Sequence, residues 1–382
     1  MDKYIEKVIQ DIHTSDIKMS MAVAGAGNQV MNWLLNVPGA SNTILDISVP
    51  YSEKAMSDFL GYMPESIVSQ EAASAMAVRS FINANKYNDS SSDLIGVGCT
   101  ATIATNREKR GDHRVIIGIC SKNDLYTFTL ILNKGMRTRI EEDFVVSNLL
   151  LKVVSGYMAI DYSIDNLLLD GEIIQREEIS VDKSLDMVMH GDIPYVILDS
   201  AGGMEYLLPP KQSTIVFPGS FNPLHEGHKT LASVVKKEFD LQALYETSIL
   251  NVDKPPLSYD EIVKRVTQFE DEERLLITNQ ATFAGKAKKL GGYKFLVGWD
   301  TAKRVLDPKY SSSDGAMWKE LSEMLANNNQ FYVAGRLDKG KFNGIDDLEI
   351  PASLKQLFVG ISEDLFRSDI SSTEIRESKK DV

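Results

Sequence analysis

Ser213-Thr214-Ile215-Val216-Phe217-Pro218-Gly219-Ser220-Phe221-Asn222-Pro223-Leu224-His225-Glu226-Gly227-His228 is the stretch on which the reading of this 382-residue chain turns. Its first five residues are β-like, and beyond His228 the apolar spacing becomes that of a helix, over Lys229 to Phe239. Between them lies a turn stiffened by Pro218 and Pro223, in which Gly219 and Gly227 let backbone approach a ligand closely. A helix start carries free N–H groups and partial positive charge, which makes it an anion site. His225 and His228 are three residues apart, so both can point from one face of the first helical turn. Two imidazoles there suit phosphates. Phosphoryl and nucleotidyl transfer ask little covalent work of a protein and need charge on the non-bridging oxygens stabilised. Histidine donates hydrogen bonds for that purpose without lysine's strongly hydrated charge.

A lone histidine on a helix is ordinarily a surface or core residue. Here two of the chain's five histidines share one four-residue window between a strand and a helix, which favours the functional reading. Metal binding is the competing reading. The zinc-protease motif spaces its histidines four apart, these are three apart, and no third ligand is apparent, so no metal site is assigned to the pair.

Outward from this stretch the pattern is regular. Strand candidates are Ser213 to Phe217, Thr247 to Val252, Arg274 to Thr278, Tyr293 to Val297, Gln330 to Ala334 and Gln356 to Gly360. Helical patterns include Lys229 to Phe239, Tyr259 to Phe269 and Ala316 to Ala326, and Ser258 with Glu261 has capping-box spacing. This alternation predicts an α/β domain over 213–382, a Rossmann-like doubly wound parallel sheet with ligands at the C-terminal strand ends. A second motif, Asp369-Ile370-Ser371-Ser372-Thr373-Glu374-Ile375-Arg376, follows the last β run. Ser371 and Glu374 could be simple capping, but three adjacent hydroxyls and an arginine at a helix start also make a phosphate cradle.

The two motifs together resemble the HxGH nucleotidyltransferases, and among them the nicotinamide or nicotinate mononucleotide adenylyltransferases. The resemblance is carried by Gly219 to His228 and by Ile370 to Arg376, and covers about 165 residues. It implies transfer of AMP from ATP to a phosphorylated small-molecule acceptor, with Mg²⁺ accompanying ATP. His225, His228 and Arg376 would be catalytic. Gly219, Ser220, Phe221, Gly227, Gly298, Asp300, Ser372 and Thr373 would bind nucleotide, Gly298 and Asp300 as the family's GxD segment near the adenosine. Lys254, Arg265 and Arg336 are weaker phosphate candidates, each otherwise a solvated charge, and Trp318 reads as packing. A CTP donor, another phosphorylated acceptor, or a nucleotide-binding protein without turnover stay open.

The first 165 residues also read as α/β. Helical patterns at Tyr4 to Ile12, Ser52 to Leu60, Glu71 to Ala84 and Arg139 to Met158 accompany β-like runs at Met19 to Ala24, Thr43 to Val49, Leu94 to Thr105, Arg114 to Cys120 and Asp124 to Leu132. In the last of these Tyr126, Phe128 and Leu130 alternate with threonines. Residues 166–212 read as a connector with a little β structure. Ala24-Gly25-Ala26-Gly27-Asn28 looks like a glycine-rich phosphate loop. With Val37 to Ser41, Val49 to Glu53 and Gly98 to Ile103 it resembles, more distantly, the C-terminal domain of the CinA family of nicotinamide mononucleotide amidohydrolases. That family's loop serine falls at Ala24 and its lysine at Met56, so the domain is expected to lack amide hydrolysis. Tyr51 and Arg137 stay at positions compatible with ligand binding. The resemblance implies association of copies through this domain.

Net charge −13 argues against nucleic-acid and anionic-membrane partners. No apolar run nears the ~20 residues of a membrane span, and no signal peptide is visible, so a cytoplasmic, soluble protein is expected. Cys99 and Cys120 lie in apolar runs and read as buried small hydrophobes.

Overall fold

A computed structural model describes residues 2–88, 92–106, 111–250, 255–270, 273–307, 314–338 and 341–367. The chain divides into two compact units. One comprises the residues up to Ile193 with Glu205–Leu207, the other Pro194–Met204 with the chain from Leu208 onward.

The first unit opens with α1 (Lys3–His13), whose Ile5, Val8, Ile9 and Ile12 form the buried stripe that the i, i+3, i+4 spacing predicts. There follow β1 (Lys18–Ala24), α2 (Asn28–Asn36), α3 (Ala40–Thr43), β2 (Ile44–Ser48), α4 (Glu53–Leu60), α5 (Gln70–Tyr87), β3 (Leu94–Thr102), β4 (His113–Cys120), β5 (Leu125–Leu132), α6 (Arg139–Tyr157), β6 (Gln175–Glu178) and α7 (Val181–His190). The sheet runs β2-β1-β3-β4-β5-β6. The pairs of β1 with β2 and β3 are parallel and the rest antiparallel.

One face is covered by α5 at close range. A Cβ on Gly98 would lie 2.5 Å from Ala77 N, and one on Gly118 the same distance from Ala73 O, so only glycine admits the helix backbone there. The other face joins α1, α2 and α6 in the main apolar core. Because both faces are covered, the alternation read in β5 does not separate inside from outside. Thr127 is buried, bonded by Gln70 Nε2 at 2.7 Å, and Tyr126 and Phe128 are only half-buried. Cys99 and Cys120 are free and buried, their thiols pushed up by desolvation.

In the second unit β7 (Tyr195–Leu198) and β8 (Met204–Glu205, which straddles the boundary) precede β9 (Thr214–Pro218), α8 (Glu226–Phe239), β10 (Gln242–Ser248), α9 (Tyr259–Val266), β11 (Leu275–Thr278), α10 (Phe283–Leu290), β12 (Lys294–Gly298), α11 (Trp299–Val305), α12 (Asp314–Ala326), β13 (Phe331–Ala334), the hairpin β14 (Arg336–Asp338) and β15 (Lys341–Asn343), and β16 (Phe358–Ile361). The large sheet is ordered β16-β13-β12-β9-β10-β11-β7-β8. From β16 to β11 the pairings are parallel, while β7 lies antiparallel on β11. The chain starts at β9, winds outward through β10 and β11, then returns to build β12, β13 and β16 on the other side. That reversal puts the switch point between β9 and β12, where doubly wound sheets hold ligands.

Two expectations need correction. The strand expected at Thr247 to Val252 is β10, Gln242–Ser248; its charged Glu246 hid the run. The segment 166–212 is not a connector, since β6 and α7 complete the first unit and β7 enters the second sheet. All four residues of β6 are exposed, so it carries no apolar signal, and β7 is one short, fully buried run without period.

Candidate functional site

The turn after β9 is pinned to β10. Gly219 N–H donates to Glu246 O at 2.9 Å, and Thr247 Oγ1 donates to Gly219 O at 2.9 Å. Phe221 takes a left-handed backbone (φ +41°) and tucks its wholly buried ring beneath the loop, against Phe217, His228 and Tyr245 at 5.8, 5.1 and 5.3 Å between centroids. A Cβ on Gly219 would sit 2.5 Å from that ring, so packing alone demands glycine here. From α9, Arg265 Nε donates to Ser220 O at 2.9 Å. Gln268, just beyond α9, donates to Phe221 O at 3.0 Å and accepts Leu224 N–H at 2.8 Å. The loop is therefore held in shape before any ligand arrives, while Ser220 is exposed.

His225 is the N-cap residue of α8 and Gly227 is buried in its first turn. His225 N–H donates to His228 Nδ1 at 3.3 Å, and the two rings stack 3.8 Å apart. With Nδ1 accepting, the proton of neutral His228 sits on Nε2. Burial holds both imidazoles below their ordinary range, and His228, also repelled by His225, falls to about 4. Glu226 partly offsets the effect at His225. His225 Nδ1 is buried without a hydrogen-bond partner. The arrangement presents neutral imidazole donors at a helix N-terminus, which can stabilise an anion without first losing a hydration shell.

Beside the loop, at the C-terminal ends of β9, β10 and β11, lies a cleft of about 360 Å³ lined by Gly219, Ser220, Thr247, Arg265, Phe283 and Lys286 among others. Its floor holds a polar cluster the sequence reading missed. Glu246 is wholly buried, paired with Lys286 Nζ and bonded by Thr278 Oγ1 at 2.6 Å. The available signal was a carboxylate inside the run Leu244-Tyr245-Glu246-Thr247; Lys286, near Lys288 and Lys289, reads as a solvated charge.

Across the switch point, Gly298 caps α11 and is exposed, and Asp300 in the first helical turn pairs with Arg336. The structure thus places Gly219, Ser220, Phe221, His225, Gly227 and His228 on one loop and helix start, and Gly298 and Asp300 at the end of β12. Ser372, Thr373 and Arg376, and likewise Lys254, lie outside the described residues. Arg265 is 6% exposed and helps hold the loop, so it is not a solvated charge. Trp318 is 40% exposed on α12. Among the described residues no three His, Cys, Asp or Glu side chains are grouped to hold a metal ion.

In the first unit the glycine loop is already filled. Asp143 Oδ1 accepts Gly27 N–H at 2.8 Å, Asn28 N–H at 3.2 Å and Asn28 Nδ2 at 3.1 Å, while Oδ2 accepts Gln29 Nε2 at 3.3 Å. Arg137 is engaged by Glu172, with Nη1 to Oε1 at 2.7 Å and Nη2 to Oε2 at 2.8 Å. Glu172 also accepts the N–H groups of Asn133 and Leu169, and with Arg137 these outweigh burial to hold its carboxyl below the usual range. Tyr51 is 66% exposed, and Met56, where the lysine would stand, is wholly buried.

The large sheet, parallel from β16 to β11, thus carries the glycine turn and paired histidines after β9, with the cleft beside that turn at the ends of β9, β10 and β11. Residues 216–378 match the family described as cytidylyltransferase-like, and residues 1–153 match the CinA C-terminal domain. The two segments are thus cytidylyltransferase-like and CinA-like. A competence-damage inducible protein of Caldicellulosiruptor bescii is 29% identical over 155 residues, which are 40% of this chain and 37% of that protein. The chain therefore spans little more than a third of that relative. Among solved structures, competence/damage inducible protein CihA from Agrobacterium tumefaciens is 17% identical, covering 42% of this chain and 96% of that one, with a TM-score of 0.33. A CinA superfamily protein from Escherichia coli is 14% identical, with 42% and 92% covered and a TM-score of 0.32.

Proposed function

We propose that the second unit transfers AMP from ATP to the phosphate of a pyridine mononucleotide, nicotinate or nicotinamide mononucleotide, and releases pyrophosphate. The observation that carries this reading is the stacked pair His225 and His228, kept neutral by burial at the N-terminus of α8, just after the loop whose Gly219, Ser220 and Asn222 line the cleft. An acceptor phosphate oxygen attacks the α-phosphorus of ATP; the bond to the bridging oxygen toward the β-phosphorus breaks, and pyrophosphate leaves with that electron pair. His228 Nε2–H donates to a non-bridging oxygen as charge builds there, and the N–H groups of the α8 start add their partial charge. Gly298 and Asp300 sit on the β12 side, where the adenosine is assigned by resemblance, which leaves the β10–β11 side for the acceptor. Mg²⁺ is assigned as the counter-ion that ATP brings, and no residue of this chain is assigned to it.

The first unit is proposed to be non-catalytic. Ala24 lacks the hydroxyl, Met56 lacks the amine, and Asp143 and Glu172 occupy the donors that an anionic ligand would need. The test is pyrophosphate release by the full chain with ATP or CTP, Mg²⁺ and a panel of nicotinate mononucleotide, nicotinamide mononucleotide, phosphopantetheine and phosphocholine. Release with ATP and a pyridine mononucleotide, lost in His228→Ala, is expected. Release only with CTP, or only with another acceptor, overturns the reading.

A further inference from the structure

The cluster under the cleft bears on which pyridine mononucleotide is taken. Lys286 projects from α10 into the cleft lining with its side chain 8% exposed, and directly beneath it Glu246 is fully enclosed. A buried lysine alone would demand an anionic partner. Here the demand is met from within: Glu246 neutralises Lys286 and is itself satisfied by Thr278. Lys286 has three N–H groups and Glu246 takes one of them. Toward the cleft it is thus a hydrogen-bond donor whose charge is cancelled from below. Phe283, one turn earlier on α10, lines the same cleft, with Lys286 Nζ over its ring at 5.8 Å from the centroid.

Such a floor suits a planar ring bearing a neutral carbonyl. A carboxamide oxygen can accept from Lys286 without a net charge being buried. A carboxylate would meet a lysine already paired, with a second carboxylate directly behind it, and like charges at close range in a desolvated site are costly. Among the described residues, the other charged groups lining the cleft, Arg265 and Glu261, are of opposite sign and supply no surplus cation for a ring carboxylate.

We propose that the Glu246–Lys286 pair sets acceptor specificity, selecting nicotinamide mononucleotide over nicotinate mononucleotide. This rests on the adenylyltransferase reading above. The measurement is kcat/KM of the full chain for both acceptors, in the natural protein and in Glu246→Gln. The natural protein is expected to favour nicotinamide mononucleotide. Glu246→Gln leaves the Lys286 charge uncompensated, so the ratio should move toward nicotinate mononucleotide by roughly 10- to 100-fold, the range of one charge-assisted hydrogen bond. A buried unpaired lysine can also impair folding. The double variant Glu246→Gln/Lys286→Met therefore removes both charges at similar volume, and its ratio should collapse toward one. A ratio unchanged in an active variant, or a natural protein that favours nicotinate mononucleotide, overturns the inference while leaving the adenylyltransferase intact. Absence of turnover with both acceptors overturns the function itself and this inference with it.

Discussion

His228 carries the densest set of constraints. Its ring packs on Phe217 and Phe221, stacks on His225 and accepts the His225 N–H. Its folded midpoint near 4 lies below the ordinary 6.5, so the unfolded chain binds the proton first. The contribution of this ring to stability is therefore complete above pH 6.5 and lost as pH falls toward 4. A proton NMR titration of the nucleotide-free chain should place its midpoint near 4, and a midpoint at or above 6 would mean the ring is solvated. His228→Ala should lower kcat by about 10²–10³-fold with little change in fold, as loss of one transition-state donor typically does. Gly219→Ala should instead act on stability, because its Cβ would meet the Phe221 ring; a loss of roughly 1–3 kcal/mol in urea unfolding is expected. The placement of these glycines and histidines on one loop and helix start was legible at this scale, from residue types that suit a tight turn and a first helical turn. Glu246 and Lys286 were not, because they lie forty residues apart and meet only across the fold.

At the scale of elements, α6 sets the state of the first unit. Thr138 and Glu141 cap it with reciprocal hydrogen bonds, and one turn later Asp143 enters the glycine loop ahead of α2. That loop has the geometry of an anion site, with Gly25 and Gly27 at φ of +90° and +96°, and the anion in it belongs to the protein. Asp143→Ala would orphan the buried N–H of Gly27 and remove the acceptor of the Asn28 N–H, for which we expect a loss of about 1–3 kcal/mol in the first unit's chemical unfolding. Unchanged stability would mean that water or solute anions satisfy the loop. The sequence reading of α6 and β1 held because a long helical pattern and an extended β-like run each span enough residues to mark their element. The readings of β6, β7 and β10 did not. A strand that is wholly exposed, wholly buried or interrupted by a charge has no period, and its membership is decided by the neighbour it pairs with.

The whole molecule joins a CinA-like unit whose glycine loop is filled by its own Asp143 to a cytidylyltransferase-like unit that carries the paired His225 and His228. The full chain should release no ammonia from nicotinamide mononucleotide, assayed at concentrations that saturate pyrophosphate release; sustained release would overturn the non-catalytic proposal for the CinA-like unit. The sequence by itself determined the α/β class of both units, the loop from Gly219 to His228, and that Ala24 has no hydroxyl and Met56 no amine, because each depends on residue type and on spacings within one turn or one strand. Only the tertiary structure decided that 166–212 is divided between two sheets, that β12 and β9 flank the switch point, that Asp143 and Glu172 fill the first unit's donors, and that Glu246 cancels Lys286 under the cleft. Those outcomes depend on pairings between residues distant in the chain, and the free energy of burying a charge is set by what the fold places beside it.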